Sequence, residues 1–230
     1  MKFNPSKCQI MHIARTQTKT KFYELCGEFL STVDSAKYLG IVISKDLDWH
    51  EQVCSVAKKA NSALHLIARN LHNTSKSARS LAYTSIARPK LEYSATVWDP
   101  HTQKDSDILE KVNRRAARVV YKKSFWDQDV SPTKLIKELG WKTLAERRQQ
   151  QRLCMMFKIN NKLVAVPPTQ LIKPARILRG HSQKFQTIRT SCNTVKFSFY
   201  PRTIPEWNSL TEDIISAPSL DSFKNRLSRA

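Results

Sequence analysis

The chain has 230 residues, enough for one large domain or two small ones that bury roughly 70% of the unfolded surface. Its 39 Lys and Arg against 19 Asp and Glu give a formal net charge of +20, which favours polyanionic partners. No apolar run approaches the ~20 residues of a membrane span, and the five scattered cysteines form no C-x-x-C pair, which speaks against a zinc site and a disulfide framework. An intracellular setting, nucleus or cytoplasm, is expected. Residues 51–160 carry 21 basic and 10 acidic side chains, so the charge sits on the body of the protein and not on a tail.

Residues 7–44 read as about three strands: CQIMHI, then KFYEL and EFLSTV around a Cys26-Gly27 turn, then the apolar β-branched run YLGIVIS. That last run is expected to be covered on both faces, with Gly40 allowing a close approach. Asp48 and Glu51 have the spacing of a helix start. Val53, Val56, Ala57, Ala60, Leu64, Ile67 and Leu71 then recur at helical spacing, with Lys58, Lys59 and Arg69 off that face. A second helix is predicted from about Ser75 to Arg88, stopped or kinked by Pro89, with KLEYSATVW continuing the path to Asp99-Pro100.

A third long helix is predicted from about Lys104 to Lys122, with Ile108, Leu109, Val112, Ala116 and Val119 facing the core. Lys111, Arg115, Arg118 and Lys122 step by four, three and four into one stripe, and Arg114 lies beside it. Ser131-Pro132 opens a short helix that Gly140 closes, and Thr143 with Glu146 forms a capping box for a helix through about Asn160. Arg147, Arg148 and Arg152 fall in its first half. After Pro167-Pro168 the pattern weakens into loops, a strand at VKFSFY, a turn at Pro201-Arg202 and a last helix from Ser219. The expected fold class is therefore α+β, with a short N-terminal β portion followed by a mainly α-helical bundle.

Chemistry-bearing motifs are few. The four glycines form no phosphate-binding loop. Asp46 and Asp48 make a D-x-D, but they stand where a helix N-terminus is expected, so a capping or solvated turn is the better reading. Cys8 and His12 lack further ligands. What remains is binding: a cationic stripe on one helix and an arginine group near the start of another. Fixed cations of this kind neutralise phosphates, although the stripe also complements the helix dipole.

Several segments carry a resemblance. FNPSKCQIMHI, KYLGIVIS followed by LDW, RPKLEYSATVWDP, LEKVNRRAARVVY, LGWKTLAERRQQQRL and SFYPRTIPEWNSL, in this order, resemble the C-terminal part of a non-LTR retrotransposon (LINE, Jockey-like) reverse transcriptase. Asn113 stands where that family's pattern has Gln, and Thr211 follows Asn208-Ser209-Leu210 where Pro is usual. The resemblance implies the end of a polymerase palm over 1–50, a helical thumb over 51–165 and a tail over 166–230. It implies that Lys7 matches a lysine that helps protonate pyrophosphate, and that Tyr38, Leu39 and Gly40 match the loop positioning the primer end.

The aspartates that hold two metal ions in such polymerases would precede Met1, so Mg2+ would belong to that missing catalytic part and this chain alone is expected not to polymerise nucleotides. Met1 then looks like a start codon inside a truncated element. The implied partners are RNA or an RNA–DNA duplex, gripped through Lys111, Arg114, Arg115, Arg118, Lys122, Arg147, Arg148 and Arg152, together with the palm and fingers of the polymerase. This reading expects an exposed apolar patch around Leu39, Ile41 and Ile43. The alternative is a stand-alone α-helical RNA-binding or scaffold protein derived from the element, with a closed core of its own.

Overall fold

The computed structural model describes residues 4–14, 21–123, 131–176 and 180–229. Over these the protein is a mixed α+β structure with a short strand region at the N-terminus and helices after it. The strands are β1 (Gln9–Ile10), β2 (Glu24–Leu25), β3 (Glu28–Phe29), β4 (Ser31–Thr32), β5 (Ser35–Tyr38) and β6 (Ile41–Ser44). They pair two by two: β1 with β4 in parallel, β2 with β3 antiparallel through the Cys26-Gly27 turn, and β5 with β6 antiparallel. Lys7 lies exposed in a 3-10 turn, Pro5–Lys7.

The YLGIVIS run is not one strand covered on both faces. Tyr38 pairs with Ile41, and Leu39 (φ 46°) with Gly40 (φ 88°) makes a two-residue hairpin loop with positive φ at both positions, the pattern of a type I′ turn. Only one face of β6 is covered: Ile41 is buried and Ile43 packs beside it on α1 (His50–Asn70). The Gln52 side chain fixes this contact by accepting the Val42 N–H at 2.9 Å.

α1 buries the stripe from Val53 to Ile67 that its periodicity marks. Its start is not a capping box: Asp48 accepts the His50 N–H at 2.7 Å, and Glu51 accepts from the Ser35 hydroxyl at 3.3 Å instead of reaching back. Next come α2 (Lys76–Ala82), a π-helical turn (Tyr83–Ala87), α3 (Arg88–Glu92) and α4 (Ala95–Trp98). Pro89 neither stops the helix nor breaks its path. It has no N–H to give the preceding turn, and the wider turn ahead of it, with the Arg88 N–H donating to the Tyr83 carbonyl, carries the chain into α3.

α5 (Gln103–Tyr121), α6 (Pro132–Glu138) and α7 (Leu144–Asn160) follow as the sequence predicts, α7 with both halves of its Thr143–Glu146 capping box. At the C-terminal end, VKFSFY is not a strand. It spans α8 (Asn193–Lys196) and the start of α9 (Phe199–Asn208), with α10 (Glu212–Ile215) and α11 (Leu220–Arg229) after them. Pro201 fits the first turn of α9, where N–H groups have no intrahelical acceptor, so the residue read as a turn former begins a helix.

Two apolar cores result. One gathers residues from Ile41 to Leu144 around Tyr83, Trp98 and Leu109, and the other gathers residues from Leu153 to Phe223 around Trp207. α7 contributes Leu144 to the first core and Leu153, Met156 and Phe157 to the second.

Candidate nucleic-acid interface

α1 and α5 lie side by side and run in the same direction. His50 Nδ1 is 2.5 Å from Asp105 Oδ1 at their N-termini, and Arg115 donates to the Asn61 side chain at 2.8 Å halfway along. Ala68, His72, Val119 and Lys122 share one hollow at their far ends. Burial pushes the Asp105 carboxyl up, but hydrogen bonds from Thr102 and His50 outweigh it and hold the group below its usual range.

This packing turns the predicted stripe outward. Lys111, Arg115 and Lys122 are exposed, and Arg114 and Arg118 are half-buried. Lys111 to Lys122 spans about 16 Å of helix, close to the axial reach of five phosphates on one strand. Lys58, Asn61, His65 and Arg69 occur at spacings of three and four on α1, and Asn61 is the partner of Arg115, so these residues run alongside the stripe. Lys58, His65 and Arg69 are exposed. Sequence reasoning placed Lys58 and Arg69 only as lying off the core face; the parallel packing that makes them neighbours of α5 has no local signal.

The hairpin loop lies on the other side of α1. Tyr38 and Leu39 are 67% and 72% exposed. They are not core residues. Leu39 and Gly40 border a shallow hollow with Lys59, Ile86, Lys90 and Tyr93. The Tyr93 hydroxyl donates to the Leu39 carbonyl at 3.2 Å, and a Cβ on Gly40 would stand 3.3 Å from the Tyr93 ring, so glycine here serves both the turn and the close approach. The structure thus brings Tyr38, Leu39 and Gly40 together with two exposed lysines and a half-exposed tyrosine that the sequence did not single out. Of the expected apolar patch only Leu39 is exposed, because Ile41 and Ile43 are turned onto α1.

The arginines of α7 are placed otherwise than the α5 row: Arg148 and Arg152, expected on a phosphate-binding surface, are buried, and Arg147 is part-buried. Arg148 and Arg152 are 2% and 3% exposed. Both bind the buried carboxylate of Asp99, Arg148 at 2.7 Å, and Arg152 also holds Glu206 at 2.6 Å. Arg202 from α9 joins the same group, 3.3 Å from the Asp99 carboxylate and donating to its carbonyl at 3.0 Å. Burial holds the Arg148, Arg152 and Arg202 guanidinium groups below their usual range. Arg147 is tied to Glu92 through two nitrogens, and that hydrogen bonding holds it above its usual range. Arg148 and Arg152 are thus spent on internal carboxylates, and Arg147 is part-exposed against Glu92.

Asp46 and Asp48 fit a turn and not a metal pair. Asp46 Oδ1 accepts the Ser44 hydroxyl at 2.6 Å and the Asp48 N–H at 3.1 Å, and the Ser44 bond followed by the Asp48 bond holds this carboxyl below its usual range. Among the described residues no group of three or more His, Cys, Asp or Glu is placed to hold a metal ion, and no helix is long and apolar enough to cross a membrane. No family model matches the chain, and no curated protein or solved structure matches it either.

Proposed function

We propose that this chain grips the sugar-phosphate backbone of RNA or an RNA–DNA duplex, as the thumb-side, C-terminal part of a reverse transcriptase of the non-LTR retrotransposon kind. The observation that carries the reading is the double row of exposed cations, Lys111, Arg115 and Lys122 on α5 beside Lys58 and Arg69 on α1, in a chain of net charge +20. The order of the family-like segments supports the polymerase origin. The exposed Tyr38–Leu39 loop beside Lys59 and Lys90 is suited to contact a strand end, as the resemblance implies. Such contacts position a duplex without reading its sequence. The reading assigns nucleotide addition, with its Mg2+, to the palm and fingers of such a polymerase and duplex grip to this chain.

The test is fluorescence anisotropy of a labelled RNA–DNA hybrid titrated with the chain from 50 to 200 mM salt. With about six phosphate contacts, affinity falls roughly a thousandfold over that range. Replacing Lys111, Arg115, Arg118 and Lys122 together by alanine weakens binding and flattens the salt dependence; unchanged affinity removes the α5 row from the account.

One observation favours the second reading, a stand-alone RNA-binding or scaffold module. The hairpin residues Ile41 and Ile43 close onto the chain's own helical core instead of presenting an apolar face to a missing sheet. A cooperative monomeric melt with full RNA affinity supports this module, and association through the N-terminal strands supports the polymerase fragment.

A further inference from the structure

A second cavity lies away from the cationic rows, between the two cores. Its walls come from the β6–α1 connection, α4, α7 and the α8–α9 segment, and it encloses about 540 Å³. That volume falls within the ordinary range of small-ligand sites. Its chemistry is the opposite of the rest of the surface. No lysine or arginine lines it, although the chain carries 39 of them. Trp49, Phe199 and Tyr200 supply aromatic faces, Phe197 is stacked on His101 at 4.2 Å with Lys196 5.4 Å from its ring centre, and Asp46 and Asp48 supply carboxylates. Neither carboxylate has a salt-bridge partner among the described residues, and the neighbouring Lys45 is taken by Asp34 at 2.9 Å. The third carboxylate in the lining, Asp99, is already neutralised by its arginines.

Aromatic faces attract cations through the ring quadrupole, and the two exposed carboxylates at the rim add a solvent-screened Coulomb attraction. Phosphate groups meet the reverse: no lysine or arginine in the lining and two anions to repel them. We propose that this cavity is a binding site for an organic cation, an ammonium carried on an apolar stem, distinct from the nucleic-acid surface. The chemistry is shared by a free alkylammonium compound and by the methylated lysine of a partner peptide.

Saturation-transfer NMR on the full chain tests this with benzyltrimethylammonium as the probe and benzyl alcohol as a neutral aromatic control. Binding of the cation with a roughly millimolar Kd is expected. Asp46→Asn with Asp48→Asn keeps the acceptors for Ser44, Asp48 and His50 while removing both charges, and should weaken the cation about tenfold with the fold retained in a cooperative melt. Val97→Arg, at an exposed wall position, should abolish binding by filling the space with a like charge. A peptide bearing trimethyllysine is compared with the same peptide unmethylated. If the methylated peptide binds more tightly than the free probe, the site serves a protein partner; if the free probe binds more tightly, it serves a small molecule, and both outcomes support a cation site. Equal binding of benzyl alcohol, or affinity indifferent to the two Asp→Asn changes, overturns the proposal.

Discussion

α5 and α7 are both basic helices of similar length, and their arginines have opposite fates. On α5 the cations lie opposite an apolar face that packs on α1 and the first core, so they project outward, and Arg115 needs only the Asn61 amide. On α7 the helix contributes to two cores in turn, and Arg148 and Arg152 lie on its covered side, drawn inward to the buried carboxylate of Asp99. A basic residue becomes a surface for partners or an internal fastening according to how many sides of its helix are covered. Charge alone does not distinguish the two.

The sharpest way to break this comparison is to remove the acceptor. Asp99→Ala leaves three arginines facing one another without their shared counter-ion, and should cost about 3–5 kcal/mol in urea-denaturation stability, as expected when one partner of a buried pair is lost. The converse change on α5, Lys111, Arg115 and Lys122 to alanine together, should leave stability within about 0.5 kcal/mol per site while lowering the salt slope of RNA binding by about three, one for each lost phosphate contact. If the α5 triple variant unfolds and Asp99→Ala does not, the assignment of the two arginine groups is reversed. An intermediate effect is expected at the start of α7: Thr143→Ala removes the bond to the Glu146 N–H and should cost about 1 kcal/mol.

The smallest effect concerns Asp105 at the head of the α1–α5 pair. Its carboxyl is held below the usual range in the folded chain, so its contribution is fully present above the ordinary carboxylate value near 3.8 and is lost as pH falls through the lowered one. Asp105→Asn should therefore flatten the decline of stability below about pH 4, read by thermal melts across pH, without altering the melt at pH 7 by more than the lost His50 contact.

The helices of the first core were legible because each announces itself locally. The 3.6-residue stripe of α1, the Thr143–Glu146 box and the Ser131-Pro132 start depend on neighbours in sequence. The failures share a different cause. YLGIVIS looks like a buried strand by composition, yet the positive φ of Leu39 and Gly40 folds it into a hairpin whose loop is exposed. VKFSFY has strand-like residues, but Phe157, Phe185 and Phe223 offer a core that the helix Phe199–Asn208 fills with Ile204 and Trp207. Within the candidate site the α5 row was readable from spacing, whereas Lys58 is brought beside that row, and Lys90 and Tyr93 beside the Leu39–Gly40 loop, only through contacts distant in sequence. The burial of Arg148 and Arg152 was equally hidden, since it depends on Asp99 and Glu206, each about fifty residues away.

The arrangement around Asp99 sets an order of events during synthesis. Arg148 emerges 49 residues after it and Arg202 103 residues after it. At ordinary elongation rates that is roughly 5–20 s of translation between the acid and its last partner. Arg148 and Arg152 reach Asp99 first and pair with its carboxylate, and Arg202 adds the last contact only when α9 has left the ribosome and docked. The helices made before α7 thus carry a carboxylate without its partners, α7 supplies two of them, and α9 completes the group.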